Sequence, residues 1–97
     1  MTRATAVKDA NLVPVGYVQD TTISSASALP SIPSGARYAL IQVLTQAARW
    51  RDDGTDPTAS VGMQIAAGET YFYNGKLSAF KIIEEAASAE LNVTYYG

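Results

Sequence analysis

The chain contains no cysteine and no histidine. Without cysteine there is no disulfide framework, no thiol nucleophile and no thiolate ligand for a metal. Without histidine, Ser–His triads and the usual zinc and haem ligand sets are also excluded. Charge is sparse: 16% of residues are charged and the formal net charge is −2. That balance offers no field to hold nucleic acid or an anionic membrane surface. No run approaches the ~20 consecutive apolar residues that span a bilayer. The first residues form no apolar signal segment, so the expectation is synthesis in the cytoplasm. These absences point away from an enzyme, and toward a protein with no cofactor, no metal, no nucleic acid and no membrane partner.

What the chain does have is 97 residues that are 47% hydrophobic, enough for one folded domain with a modest core. The organising stretch is Ala48 to Thr58, which holds the only tryptophan. In an extended segment side chains alternate, so Arg49 and Arg51 share one face and Trp50 takes the other. A large apolar body with one N–H donor makes Trp50 the expected core anchor. Asp53-Gly54 then ends the strand, and Pro57 restricts Asp56 to an extended or turn conformation.

Strands are expected on either side. Gly16 to Ile23 is rich in β-formers, and Ser24 to Ala28 reads as a loop. Leu29-Pro30-Ser31-Ile32-Pro33 is a connection whose Leu29 and Ile32 are expected to pin it to the core. Arg37 to Thr45 is apolar on both faces, the pattern of a strand packed on two sides. Val61, Met63 and Ile65 alternate and are expected to point inward. Glu69 to Tyr73 precedes Asn74-Gly75, a strong signal for a two-residue hairpin turn, so Lys76 to Ile83 should return beside it. Helical spacing of Leu77, Phe80, Ile83 and Ala87 competes with that reading. The preferred one is a strand through Ile83, then a loop or single helical turn. Glu90 to Tyr96 closes the chain with Leu91, Val93 and Tyr95 on one face. Together these predict an all-β fold: an antiparallel, jelly-roll-like β-sandwich of six to eight short strands. Residues 1–15 read as a flexible N-terminal arm and residues 16–97 as the single domain.

Candidate sites are few. Asp52, Asp53 and Asp56 supply the oxygens that calcium prefers, but Asp-Gly and Asp-Pro are ordinary turn chemistry. Arg37, Arg49 and Arg51 make a basic strip on paper. With a net negative chain, Arg–Asp pairing or a contact with another subunit is the better reading. Six tyrosines raise a sugar-binding platform, against the simpler fact that tyrosine is common in strands and interfaces. Tyr95 and Tyr96 are consecutive and so point to opposite faces, which leaves Tyr96 exposed or at an interface. Asn92-Val93-Thr94 fits a glycosylation sequon and reads as strand. Glu84-Glu85 reads as a solvated turn.

The order of segments carries a resemblance. Ile32-Pro33-Ser34-Gly35-Ala36-Arg37-Tyr38-Ala39-Leu40-Ile41 is followed by Arg49-Trp50-Arg51-Asp52-Asp53-Gly54 and by Pro57-Thr58-Ala59-Ser60-Val61-Gly62-Met63. Gly68-Glu69, Phe80-Lys81-Ile82-Ile83 and Leu91-Asn92-Val93-Thr94-Tyr95-Tyr96 complete it. This series, over residues 29–97, resembles small virion structural proteins of tailed bacteriophages. The resemblance implies a β-sandwich on the virion with no catalytic residues and, by size, a capsid decoration (cement) protein. A neck, tail or fibre-base component is the alternative, and a carbohydrate-binding module the further one. The expected partners are the major capsid protein and other copies of the chain, as a trimer. Arg37, Arg49, Arg51, Asp52, Asp53, Asp56 and Tyr96 are the expected capsid or subunit contacts.

Overall fold

The computed structural model describes residues 12–97, and it is all β. Its strands are β1 (Pro14–Asp20), β2 (Ser27–Ala28), β3 (Tyr38–Leu44), β4 (Ala48–Arg51), β5 (Met63–Ile65), β6 (Thr70–Tyr73), β7 (Lys81–Glu84) and β8 (Glu90–Tyr96). They form two antiparallel four-stranded sheets, ordered β1-β8-β3-β6 and β2-β7-β4-β5. The pairs β1·β8, β2·β7, β3·β6 and β4·β5 are nested, as if one long hairpin had been rolled up. The pairs β3·β8 and β4·β7 then close each sheet. This is the eight-stranded jelly roll.

Alternation builds the core. Ala39, Ile41 and Val43 of β3 lie opposite Tyr95, Val93 and Leu91 of β8, and all six are buried. Across the sandwich stand Ala48 and Trp50 of β4, Ile65 of β5 and Ile82 of β7. Trp50 is the anchor that its position predicts, only 8% exposed. Its indole stacks on Phe80 at 5.0 Å between ring centroids and meets the edge of Tyr73 at 5.7 Å. Ile23, Leu29, Leu77 and Phe80 plug the core from connections rather than strands.

Several expectations are corrected. Asn74-Gly75 is not a hairpin turn. β6 pairs with β3, whereas the returning strand β7 joins β2 and β4 in the other sheet. Leu77 and Phe80, three residues apart, both enter the core, and a 3₁₀ turn at Leu77–Ala79 achieves that spacing while the chain crosses between sheets. The helical turn therefore precedes the strand instead of following it.

Val61 and Met63 are 52% and 62% exposed. Val61 belongs to the β4–β5 connection, where it bridges to Thr58, and Met63 lies on a three-residue edge strand with Trp50 between it and the core. Of the two apolar residues of the proline-rich connection only Leu29 is buried; Ile32 is 37% exposed. The expected loop of residues 24–28 contains β2. The expected first strand starts earlier and ends at Asp20, leaving Ile23 buried beyond it. β3 is packed on one face only, its other face being a half-buried outer surface.

The expected N-terminal arm falls largely on residues 1–11, which lie outside the described residues. Its last part does not stand apart from the domain: Val13 exchanges two backbone hydrogen bonds with Gly97, and β1 begins at Pro14.

Candidate functional site

The strand directions sort the connections onto two ends. Residues 21–26, 45–47, 66–69 and 85–89 lie at one end. Residues 29–37, 52–62 and 74–80 lie at the other, with Val13 and Gly97. This second end carries the longer connections, and all the expected contact residues except Arg49 gather on it.

On the β4–β5 connection, Arg51 grips Asp53 with both arms of its guanidinium, Nε to Oδ1 at 3.0 Å and Nη2 to Oδ2 at 2.6 Å. That hydrogen bonding holds the Asp53 carboxyl below its ordinary pKa and raises Arg51 above its own. Asp52 is instead engaged by Tyr73, whose Oη donates to Oδ2 at 2.7 Å. Burial pushes the Tyr73 phenol well above its usual range, and the Asp52 carboxylate pushes it further. Asp56 is exposed beside the buried Pro57. Among the described residues no three acidic groups converge in the manner of a metal site.

Arg37 and Tyr96 meet at the same end through the first sheet. The Arg37 amide donates to the Tyr96 carbonyl at 2.8 Å. The Arg37 guanidinium lies over the Tyr38 ring, 5.6 Å from its centroid, within cation–π range. Arg49 is apart, on the outer face of the second sheet. It donates through Nε to Glu85 at 2.7 Å and through Nη1 to the Gly62 carbonyl, while Gln64 donates to the same Glu85 oxygen at 2.8 Å. These bonds, the one from Gln64 foremost, hold the Glu85 carboxyl below its ordinary pKa. The three arginines therefore make no basic strip, because Arg49 and Arg51 are each matched by a carboxylate and Arg37 sits on the other sheet. An open groove of 550 Å³ beside Trp50 is lined by Arg51, Asp52, Asp53 and residues 61–63.

The tyrosines separate by burial. Tyr95 is buried, donates to the Pro30 carbonyl, and is pushed up to about 12 by burial. It is no part of any surface.

A second surface was not legible in the sequence. On the outside of the first sheet the register aligns side chains into rows across the strands. One row is Tyr17–Thr94–Leu40–Phe72, and the next is Gln19–Asn92–Gln42–Thr70. Tyr96 pairs with Tyr38 beyond the first row, and Glu90 with Leu44 beyond the second. Glu90 is the one charged side chain in this pattern. Tyr17 Oη donates to Asn92 Oδ1 at 2.7 Å, and Asn92 Nδ2 donates to Gln42 Oε1 at 3.2 Å. Between the rows lies a shallow depression of 230 Å³. The alternation in β3 and β8 gives each strand's outward residues, but only the pairing register sets them in rows.

Compared with protein-family models, with curated proteins and with solved structures, the chain gives no match.

Proposed function

We propose that this chain is a non-enzymatic virion structural protein, a capsid decoration protein that binds neighbouring major capsid subunits as a trimer at local three-fold positions. The observation that carries the reading is the gathering of Arg37, Arg51, Asp52, Asp53, Asp56 and Tyr96 on one loop-built end of a small jelly roll. Connections on a rigid scaffold can fit a partner without disturbing the core. The paired Arg51 and Asp53 and the exposed Asp56 supply both signs of charge for register on a partner surface. A domain of 97 residues has a modest core, and contact with other copies adds stability through burial and mass action.

The test is sedimentation of the protein with expanded capsids that lack it, alongside light scattering for the trimer. Wild type is expected to co-sediment and to raise the capsid melting temperature. The double variant Arg51→Ala, Asp53→Ala is expected to bind about tenfold more weakly, equivalent to ~1.4 kcal/mol. Binding to isolated necks or tails instead of capsids would move the protein to the neck, tail or fibre base. Binding to none of these overturns the virion reading.

A further inference from the structure

We propose a second site that does not rest on the capsid reading: the outer face of the first sheet binds a neutral glycan chain. A glycan presents alternating hydroxyls and C–H faces, so its site needs neutral donors and acceptors beside flat apolar groups. The two central rows supply both. Gln19, Asn92, Gln42 and Thr70 form a line of amides and a hydroxyl about three strand spacings long, ~14 Å. Directly beside it, Tyr17, Thr94, Leu40 and Phe72 offer two rings and an aliphatic floor.

The polar atoms are oriented and only partly used. Asn92 is committed in both directions, to Tyr17 and to Gln42, which fixes the three side chains across β1, β8 and β3. Among the described residues, Gln42 Nε2 and the side chains of Gln19, Thr70 and Thr94 have no partner and remain open to a ligand. Tyr17 is 64% exposed although its hydroxyl is bonded, so its ring stands at the rim of the depression, available to a sugar C–H face. At 230 Å³ the depression is below the ~300–1,000 Å³ of drug-sized pockets. It suits one ring of a chain lying across the open face.

The lack of charge within the two central rows chooses the class of ligand. None of their eight side chains is ionised. Among the described residues the nearby cation, Arg37, lies over the Tyr38 ring beyond the first row. A phosphorylated or sulfated polymer lying along these rows would therefore lose its hydration without a cation beneath it. A protein partner fits less well, because interfaces bury an apolar centre inside a polar rim. Here the polar row crosses all four strands inside the patch, with the ring-bearing rows on one side of it and Leu44 and Glu90 on the other, so it is no rim around an apolar centre. Burying those open amides against a protein leaves donors unsatisfied, whereas each sugar hydroxyl both donates and accepts.

The test is affinity electrophoresis of the full chain through gels containing galactomannan, xyloglucan or dextran, with heparin as the charged comparison. Retardation by at least one neutral polymer is expected. It should fall about tenfold or more in apparent affinity for Tyr17→Ala and for Gln42→Leu, which keeps the volume and removes the donors. Arg49→Ala on the opposite sheet should leave it unchanged. Because all three residues are on outer faces, unfolding curves are expected to show folded variants. For a variant that does not fold, the side-chain amide resonances of Asn92 and Gln42 in the wild type are followed instead, and they should shift on titration with the retarding polymer. Absence of retardation by all three neutral polymers overturns the proposal, as does retardation by heparin alone. Retardation unaffected by Gln42→Leu, or a dimer dissolved by Tyr17→Ala, also overturns it. The capsid assay is separate, so failure here leaves that reading standing.

Discussion

Tyr73 Oη donates a 2.7 Å hydrogen bond to Asp52 Oδ2, tying the last residue of β6 in one sheet to the residue just past β4 in the other. It is a side-chain link between the sheets at the end that gathers the expected contacts. Tyr73→Phe keeps the edge-to-face packing on Trp50 and Phe80 and removes the donor. The expected loss is ~1 kcal/mol, below the ~1.5–3 kcal/mol of a bond to a charged partner, because Asp52 is exposed. Denaturant unfolding measures it, and Asp52→Asn in the Tyr73→Phe background should add little. A second, equal loss on that background would show that the two residues act separately.

Trp50→Ala should cost ~3–5 kcal/mol, since it removes a buried indole and opens a cavity between Phe80 and Tyr73. Equilibrium unfolding in urea or guanidinium checks this. A loss below about 1 kcal/mol, the size of an ordinary surface effect, contradicts the anchor role.

Gly75 is needed for space rather than for a left-handed turn. A Cβ there would run into the Tyr73 side chain, whereas Gly54, with φ of +89°, has open space around it. Gly75→Ala is therefore expected to destabilise by overpacking, ~1–3 kcal/mol. Gly54→Ala should cost ~1 kcal/mol through backbone conformation alone. Trimming the obstruction distinguishes the two: in a Tyr73→Ala background the Gly75→Ala cost should disappear and the Gly54→Ala cost should persist. Persistence of the Gly75 cost in that background would return it to a backbone effect.

Stability should fall at high pH because of Tyr95. Burial raises its pKa from 10.0 to about 12, so the folded state holds the phenol proton more tightly than the unfolded chain. That contribution is fully present below pH ~10 and is lost as pH rises through the folded value, reaching roughly 2–3 kcal/mol at full ionisation. Tyr73, raised in the same direction, extends the loss to still higher pH. Unfolding free energies measured from pH 8 to 12.5 should decline steeply above pH 10 in the wild type and less in Tyr95→Phe. Equal declines would place the cause elsewhere.

Local pattern was enough for most strands. The alternation of Ala39, Ile41 and Val43, and of Leu91, Val93 and Tyr95, marks β3 and β8 because a strand's period of two puts one set inward whatever its neighbours are. Trp50 could be placed by the same argument, and so could the turn after Arg51, where Asp-Gly and Asp-Pro carry their own backbone preferences. Which strand lies beside which is another matter. Asn74-Gly75 is compatible with a hairpin, but burying Leu77, Phe80 and Trp50 together outweighs a local turn preference worth about 1 kcal/mol, and the chain crosses to the other sheet. The inward reading of Met63 failed for a related reason, since alternation gives a side chain's direction and not whether anything stands opposite it. Arg49 and Glu85, thirty-six residues apart, meet only because β4 and β7 pair. The row Gln19–Asn92–Gln42–Thr70 draws one residue from each of four strands, so no stretch of sequence contains it. The period of the chain determined which residues face outward; the long-range register, set by closing one core between two sheets, decided which of them stand together.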